Sequence, residues 1–147
     1  MNRNELIELA KEAMERAYVP YSQFKVGSAL LDGEGRVHMG CNVENAAYSP
    51  TNCAERTALH RAIADGVAPK SFKAIAVIGD TSQPITPCGV CRQVLVELCE
   101  PEMPVYLSNL KGDVTETTVA ALLPGAFTSN DLDGGSKQDV TTIEGPQ

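Results

Sequence analysis

Hydrophobic positions change their period several times along the chain, and each change marks an element. Leu6, Leu9, Ala10, Ala13, Met14 and Ala17 recur at helical spacing, with Glu5, Glu8, Lys11, Glu12 and Glu15 on the other faces. This predicts an opening amphipathic helix that Val19-Pro20 ends, because a residue before proline is driven out of the helical region. Residues 24–31 read as a strand, Asp32-Gly33-Glu34-Gly35 as a turn, and residues 36–42 as the hairpin partner. A polar loop from Glu44 to Asn52 leads to a second helix over about Cys53 to Asp65, closed by Gly66.

Residues 73–79 form an almost unbroken apolar run, as a strand buried on both faces requires. After a loop punctuated by Pro84 and Pro87, a third helix is predicted from Gly89 to Cys99, stopped by Pro101. Pro104 to Leu107 and Asp113 to Thr117 read as short strands, and Thr118 to Leu123 as a last helical turn. The order predicts a three-layer α/β/α sandwich around a five-stranded mixed sheet. A single domain is expected over residues 1–127. Residues 128–147 offer only Leu132, Val140 and Ile143 as larger apolar groups and are expected to be a disordered tail.

Composition narrows the function. A chain of 147 residues with 43% hydrophobic and 21% charged residues can bury one ordinary globular core. No apolar run reaches the length of a membrane span, and the first residues form no apolar leader, so a cytoplasmic address without membrane contact is expected. The net charge of −7 argues against a nucleic-acid partner, which would need clustered Lys and Arg. Acidic residues of the tail supply part of that charge, but the rest of the chain is still acidic. A small neutral or cationic substrate suits it better than a polyanion.

Five cysteines, Cys41, Cys53, Cys88, Cys91 and Cys99, are an odd number and argue against a disulfide framework. Three of them fall in two segments, Cys53-Ala54-Glu55-Arg56 and Pro87-Cys88-Gly89-Val90-Cys91, each where a loop becomes a helix. Unpaired N–H groups and the positive end of the dipole favour thiolates there. Three thiolates converging on zinc would leave its fourth position open, the mark of a catalytic site. A redox dithiol or a structural zinc site stays open on spacing alone. The dithiol does not account for Cys53, and structural zinc would need Cys41 or Cys99, both of which also read as small core residues.

Glu55 stands two residues after Cys53, about 200° away on a regular helix, so the two share a site only if the metal lies off the helix end. Taken alone it reads better as a solvated acid of a first helical turn. Arg56 is placed to offset the −1 charge of three thiolates on zinc, or is simply a surface arginine.

The segments Phe24-Lys25-Val26-Gly27, Gly40-Cys41-Asn42-Val43-Glu44-Asn45-Ala46, Cys53-Ala54-Glu55-Arg56-Thr57-Ala58, Pro87-Cys88-Gly89-Val90-Cys91-Arg92-Gln93 and Leu122-Leu123-Pro124-Gly125-Ala126-Phe127 together resemble the small homotetrameric cytidine deaminases. The resemblance runs in order from about Leu6 to Asp131. It implies one zinc per chain on Cys53, Cys88 and Cys91, with Glu55 as proton shuttle and Arg56 as the compensating charge. It also implies that Asn42 and Glu44 hold ribose hydroxyls and that Phe24 lines the pyrimidine pocket. Ala46, Tyr48 and Phe127 would reach a neighbouring protomer's site. The N–H of Ala54, at a helix start, is suited to hold the ring carbonyl oxygen.

The implied reaction is hydrolysis of free cytidine and deoxycytidine to uridine and deoxyuridine plus ammonia, in pyrimidine salvage, with the nucleoside as the only small-molecule partner. Three rivals are a related aminohydrolase on another nucleoside-like compound, a polynucleotide-editing deaminase and a non-catalytic zinc module. Asn42 and Glu44 count against the first, the acidic balance against the second, and Glu55 beside an open ligand position against the third.

Overall fold

The computed structural model describes residues 1–132. Helix α1, Arg3–Met14, starts from a reciprocal capping box in which Asn2 and Glu5 bond each other's backbone N–H. It stops several residues before Val19-Pro20, where the sequence pattern set its end. The backbone N–H groups of Glu15, Arg16 and Ala17 turn to partners three residues back, and Tyr18 leaves the helix altogether. Tyr18 donates to the carbonyl of Asn42 at 3.0 Å and accepts from the N–H of Glu44 at 2.9 Å. A strand-like pairing thus takes the backbone that the apolar periodicity assigned to the helix.

Strand β1 is Val26–Leu31, β2 Val37–Cys41, β3 Ala74–Gly79, β4 Pro104–Asn109 and β5 Val114–Thr118. Helices α2, Ala54–Ala64, and α3, Gly89–Leu98, flank β3, and short turns α4, Val119–Leu122, and α5, Ser129–Leu132, close the described chain. The sheet order is β2-β1-β3-β4-β5, with β3 and β4 parallel and every other pair antiparallel. The five-stranded mixed sheet is therefore the one the sequence predicts. Phe24 and Lys25 fall outside β1, because the backbone of Phe24 is held by side chains of Ser22 and Asn42 instead of a neighbouring strand.

β3 explains the layering. Ile75 and Val77 join Leu59, Ala62 and Leu95 under α2 and α3, while Ala74, Ala76 and Ile78 join Leu6, Ala10 and Met14 under α1. Both faces are apolar, so the run 73–79 cannot alternate. Of the tail expected to be disordered, residues 129–132 instead form α5, with the N–H of Thr128 donating to Asp131 at 2.8 Å. Residues 133–147 lie outside the described part.

Two glycines let helices touch the sheet through backbone. A Cβ on Gly27 would lie 2.6 Å from the nitrogen of Met14 in α1, and one on Gly40 would lie 2.5 Å from the carbonyl oxygen of Ala54 in α2. Neither neighbour can swing aside as a side chain could. Gly40→Ala therefore pushes away the helix that begins with the metal-binding segment. It is expected to cost roughly 1–3 kcal/mol of stability or more, read from urea midpoints, and to weaken metal retention at the same time.

The β1–β2 hairpin is tied at its turn by Asp32, which is 2% exposed. Its carboxylate accepts from the N–H groups of Glu34 and Arg36 at 2.8 and 3.0 Å, from Arg36 Nε at 3.1 Å and from His38 Nε2 at 2.9 Å. Burial alone would raise its pKa, but these donors, His38 foremost, hold it at about 2 against 3.8 for a free aspartate. The depressed value means that the stabilisation is fully present above about pH 4 and is lost as pH falls through about 2. Acid unfolding checks this: Asp32→Asn is expected to be less stable near neutrality and to lose the part of the pH dependence that lies between those values.

Candidate metal centre

Cys53 is the N-cap of α2 and Cys88 the N-cap of α3, both with extended backbone. Extended backbone at the cap matters for Cys53, because the helical 100° per residue does not apply to it. Its sulfur makes no capping bond, which frees it to face the start of α3. Cys88 Sγ lies 3.7 Å from Cys53 Sγ and accepts from the N–H of Cys91 at 3.5 Å. Cys91, fully buried in the first turn of α3, completes a triangle whose three sulfurs all lie within 4.8 Å of one another.

Tetrahedral zinc–thiolate bonds of about 2.3 Å put sulfurs roughly 3.8 Å apart. The Cys53–Cys88 separation matches that spacing, and an all-thiolate donor set suits zinc. Cys41 lies in β2, and Cys99 is buried at the C-cap of α3 with its thiol pushed up to about 12 by burial. Neither belongs to the cluster.

The electrostatics favour thiolate at the α2 cap first. The Cys91 thiol, with Arg56 and Cys88, brings the Cys53 thiol down to about 5 against the effect of burial. Cys91 is correspondingly pushed up by its bond to Cys53 and by burial. Arg56 Nη2 donates to Cys53 Sγ at 3.3 Å and lies 3.5 Å from the carbonyl of Thr51, while its Nε is buried without a partner among the described residues. An arginine held in this way is a fixed cation beside sulfur, not a surface residue. Glu55 is 4% exposed, which removes the reading of it as a solvated acid. Burial pushes its carboxyl up to about 7, with the Cys53 thiolate adding to the rise and its own N–H and Arg56 opposing it.

Residues 1–107 match the family described as the cytidine and deoxycytidylate deaminase zinc-binding region. The chain belongs to that family. Cytidine deaminase of Sporosarcina psychrophila is 59% identical, over 94% of this chain and all of that one. The Halalkalibacterium halodurans cytidine deaminase is 55% identical, over 90% of this chain and 98% of its own. Among solved structures, a cytidine deaminase from Burkholderia pseudomallei superposes with a TM-score of 0.85 at 57% identity, covering 86% of this chain and 100% of the other. The family is that of the zinc-binding region of cytidine and deoxycytidylate deaminases, and here the Cys53, Cys88 and Cys91 cluster is able to hold the metal.

The remaining residues named from the sequence fall into two groups. Asn42, just past β2, accepts from the N–H of Val26 at 2.9 Å and donates to the carbonyl of Phe24 at 2.8 Å, so its amide clamps the backbone entering β1. Glu44 accepts from the N–H groups of Tyr21 and Ser22, each at 3.0 Å, and from the Ser22 hydroxyl. The Ser22 hydroxyl and N–H, outweighing burial, hold that carboxyl below its ordinary range. Glu44 also lines a cavity of about 360 Å³ with Tyr21, Ser22, Asn45, Tyr48 and Thr51. Ala54 is buried as the first residue of α2, one of the positions whose N–H a helix cannot bond internally.

Ala46, Tyr48 and Phe127 are all exposed, Tyr48 at 77% and Phe127 at 57%. Gln93 on α3 donates to the carbonyl of Phe127 at 2.8 Å, which ties the segment after α4 to the helix bearing Cys91. Sequence reading missed Tyr21 and Ser22. They belong to no metal-ligand or acid–base pattern, and half of what they do is done by backbone N–H groups, which every residue but proline has.

Metal content is the direct check on this centre. Purified protein is expected to carry about one zinc per chain, and Cys88→Ala or Cys91→Ala to lose most of it, read by elemental analysis. Cys99→Ala should keep its zinc while losing stability, since its sulfur is core.

Proposed function

We propose that this chain hydrolyses free cytidine and deoxycytidine to uridine and deoxyuridine with release of ammonia, the role of a pyrimidine-salvage enzyme in the cytoplasm. The observation that carries the proposal is the buried carboxyl of Glu55 in the first turn of α2, beside three sulfurs that converge from the heads of α2 and α3. Zinc held by Cys53, Cys88 and Cys91 supplies a water acidified enough to act as a nucleophile near neutral pH. The chain's own residues supply the rest.

Glu55 would take the proton released by that water and pass it to the ring nitrogen next to carbon 4, then take the second proton from the hydroxyl added at carbon 4 and deliver it to the departing amine. A carboxyl shielded from solvent can do this without exchanging its proton with bulk water. The N–H of Ala54 donates to the ring carbonyl oxygen, using a helix-terminal donor that has no other task. Arg56, by donating to Cys53 Sγ, offsets one thiolate charge and keeps the metal electron-poor. Phe24 lines the base, and Asn42 and Glu44 hold the sugar, so binding energy from a remote part of the substrate aligns the base.

Exposed Tyr48 and Phe127 support a homotetramer in which Ala46, Tyr48 and Phe127 of one protomer cover another's site. The net charge of −7 supports a nucleoside over a nucleic acid. No helix among the described residues is long and apolar enough to cross a membrane.

Glu55→Gln is expected to keep its zinc and lower kcat by at least ~10²-fold, because the amide cannot carry the proton. Ultraviolet assays with cytidine, deoxycytidine and cytosine side by side test the substrate class. Both nucleosides should react and the free base hardly at all. Turnover of cytosine equal to that of cytidine would overturn the sugar-holding role of Asn42 and Glu44 and favour another aminohydrolase activity.

A further inference from the structure

We propose that Ser22 is the positioning residue of nucleoside recognition, setting Glu44 and Phe24 in one geometry. The inference rests on the reading above in which those two residues bind the nucleoside. Ser22 makes three contacts, and each has a consequence. Its N–H donates to Glu44 Oε1 at 3.0 Å, and its hydroxyl donates to Glu44 Oε2. The same hydroxyl oxygen accepts the N–H of Phe24 at 3.0 Å. One side chain therefore joins the carboxylate that faces the sugar to the backbone that carries the aromatic ring.

Oxygen lone pairs show why the hydroxyl matters. A carboxylate offers about four acceptor sites. Two donors, the N–H groups of Tyr21 and Ser22, converge on Oε1, and the Ser22 hydroxyl takes one site of Oε2. What remains is one site on Oε2, directed by the occupation of the other three. A substrate would thus meet an acceptor for a single hydroxyl, already oriented before binding. An acceptor for one hydroxyl has no use for a second, so the loss of one of two sugar hydroxyls is tolerated.

Local backbone supports the same conclusion. Gln23, between Ser22 and Phe24, sits at φ 58, a region that residues with a side chain rarely adopt. It is flanked by fixed points, since its own N–H donates to the carbonyl of Val19 at 2.9 Å and the carbonyl of Phe24 accepts from Asn42. This is a turn held in an unfavourable conformation by bonds on both sides, as functional loops often are. Tyr21, Ser22, Gln23 and Phe24 are exposed and Asn42 and Glu44 half-buried, with only Val19 of this turn in the core.

The experiment is steady-state kinetics on zinc-loaded protein with cytidine and deoxycytidine, comparing Ser22→Ala, Ser22→Thr, Glu44→Ala and the double variant Ser22→Ala/Glu44→Ala. Ser22→Ala is expected to raise KM for both nucleosides roughly ten-fold, with kcat within about two-fold and zinc unchanged. Ser22→Thr, which keeps the hydroxyl, should restore most of the loss, and once Glu44 is already alanine Ser22→Ala should add only the part of its effect that runs through Phe24, less than its effect alone. Equal damage from Ser22→Ala and Ser22→Thr, a full additional loss in the double variant, or a fall in kcat with KM unmoved would each overturn the role of Ser22. A silent Glu44→Ala would instead remove the sugar-binding reading beneath it. A damaging Glu44→Ala beside a silent Ser22→Ala would leave that reading intact and end this proposal alone.

Discussion

Three sulfurs that must all carry charge are held at one point, and the rest of the site is arranged around that repulsion. Like charges this close are tolerable only where something positive faces them. Two helix N-termini do so, because Cys53 and Cys88 are the caps of α2 and α3 and Cys91 is in the first turn of the latter. Arg56 adds a full charge at 3.3 Å from Cys53. A metal ion completes the balance, and without one the sulfurs must share protons, as the opposite displacements of the Cys53 and Cys91 thiols record. Stability of the two helix heads and binding of metal are therefore thermodynamically coupled.

The same arrangement explains why Glu55 is buried. Glu55 is the second residue of α2, and its carboxyl lies among Cys53, Arg56 and Cys91. The second helix head with its sulfurs covers it. A carboxyl in such a place would be costly as an ion, so its affinity for a proton rises. The proton affinity that the proposed shuttle role of Glu55 needs thus follows from the geometry that gathers the three sulfurs.

Much of this was legible before any coordinates. The hydrophobic periods gave the order of helices and strands, and the three cysteines could be grouped because each stands at a predicted helix start. What failed did so for a common reason. The end of α1, the exclusion of Phe24 from β1 and the attachment of Glu44 to Ser22 are all decided by backbone groups pairing across the fold. Every non-proline residue carries those groups, so side-chain patterns are silent about them. Glu55 shows the complementary limit: its identity was visible, but its burial depended on a second helix, which begins 35 positions after the first, meeting it.

Strand β2 links the metal-binding helix to Asn42 and Glu44, the residues proposed to hold the sugar. Gly40 lets the backbone of α2 rest on the strand, which fixes the helix that begins at Cys53 and carries Glu55. Asn42 follows two positions later and clamps the chain at Phe24 and Val26. Glu44 follows two after that, with its N–H on the carbonyl of Tyr18 and its carboxylate on Tyr21 and Ser22. Beyond the end of β2 the chain stays held through Val43, which bridges both Tyr18 and Asn52. A span of extended backbone is stiff and of fixed length, about 3.3 Å per residue. The separation between the reacting end of a nucleoside and its sugar is likewise fixed by covalent bonds. Matching one rigid ruler to another removes the need for loop closure to create the fit, and it makes a substrate lacking the sugar lose alignment as well as affinity.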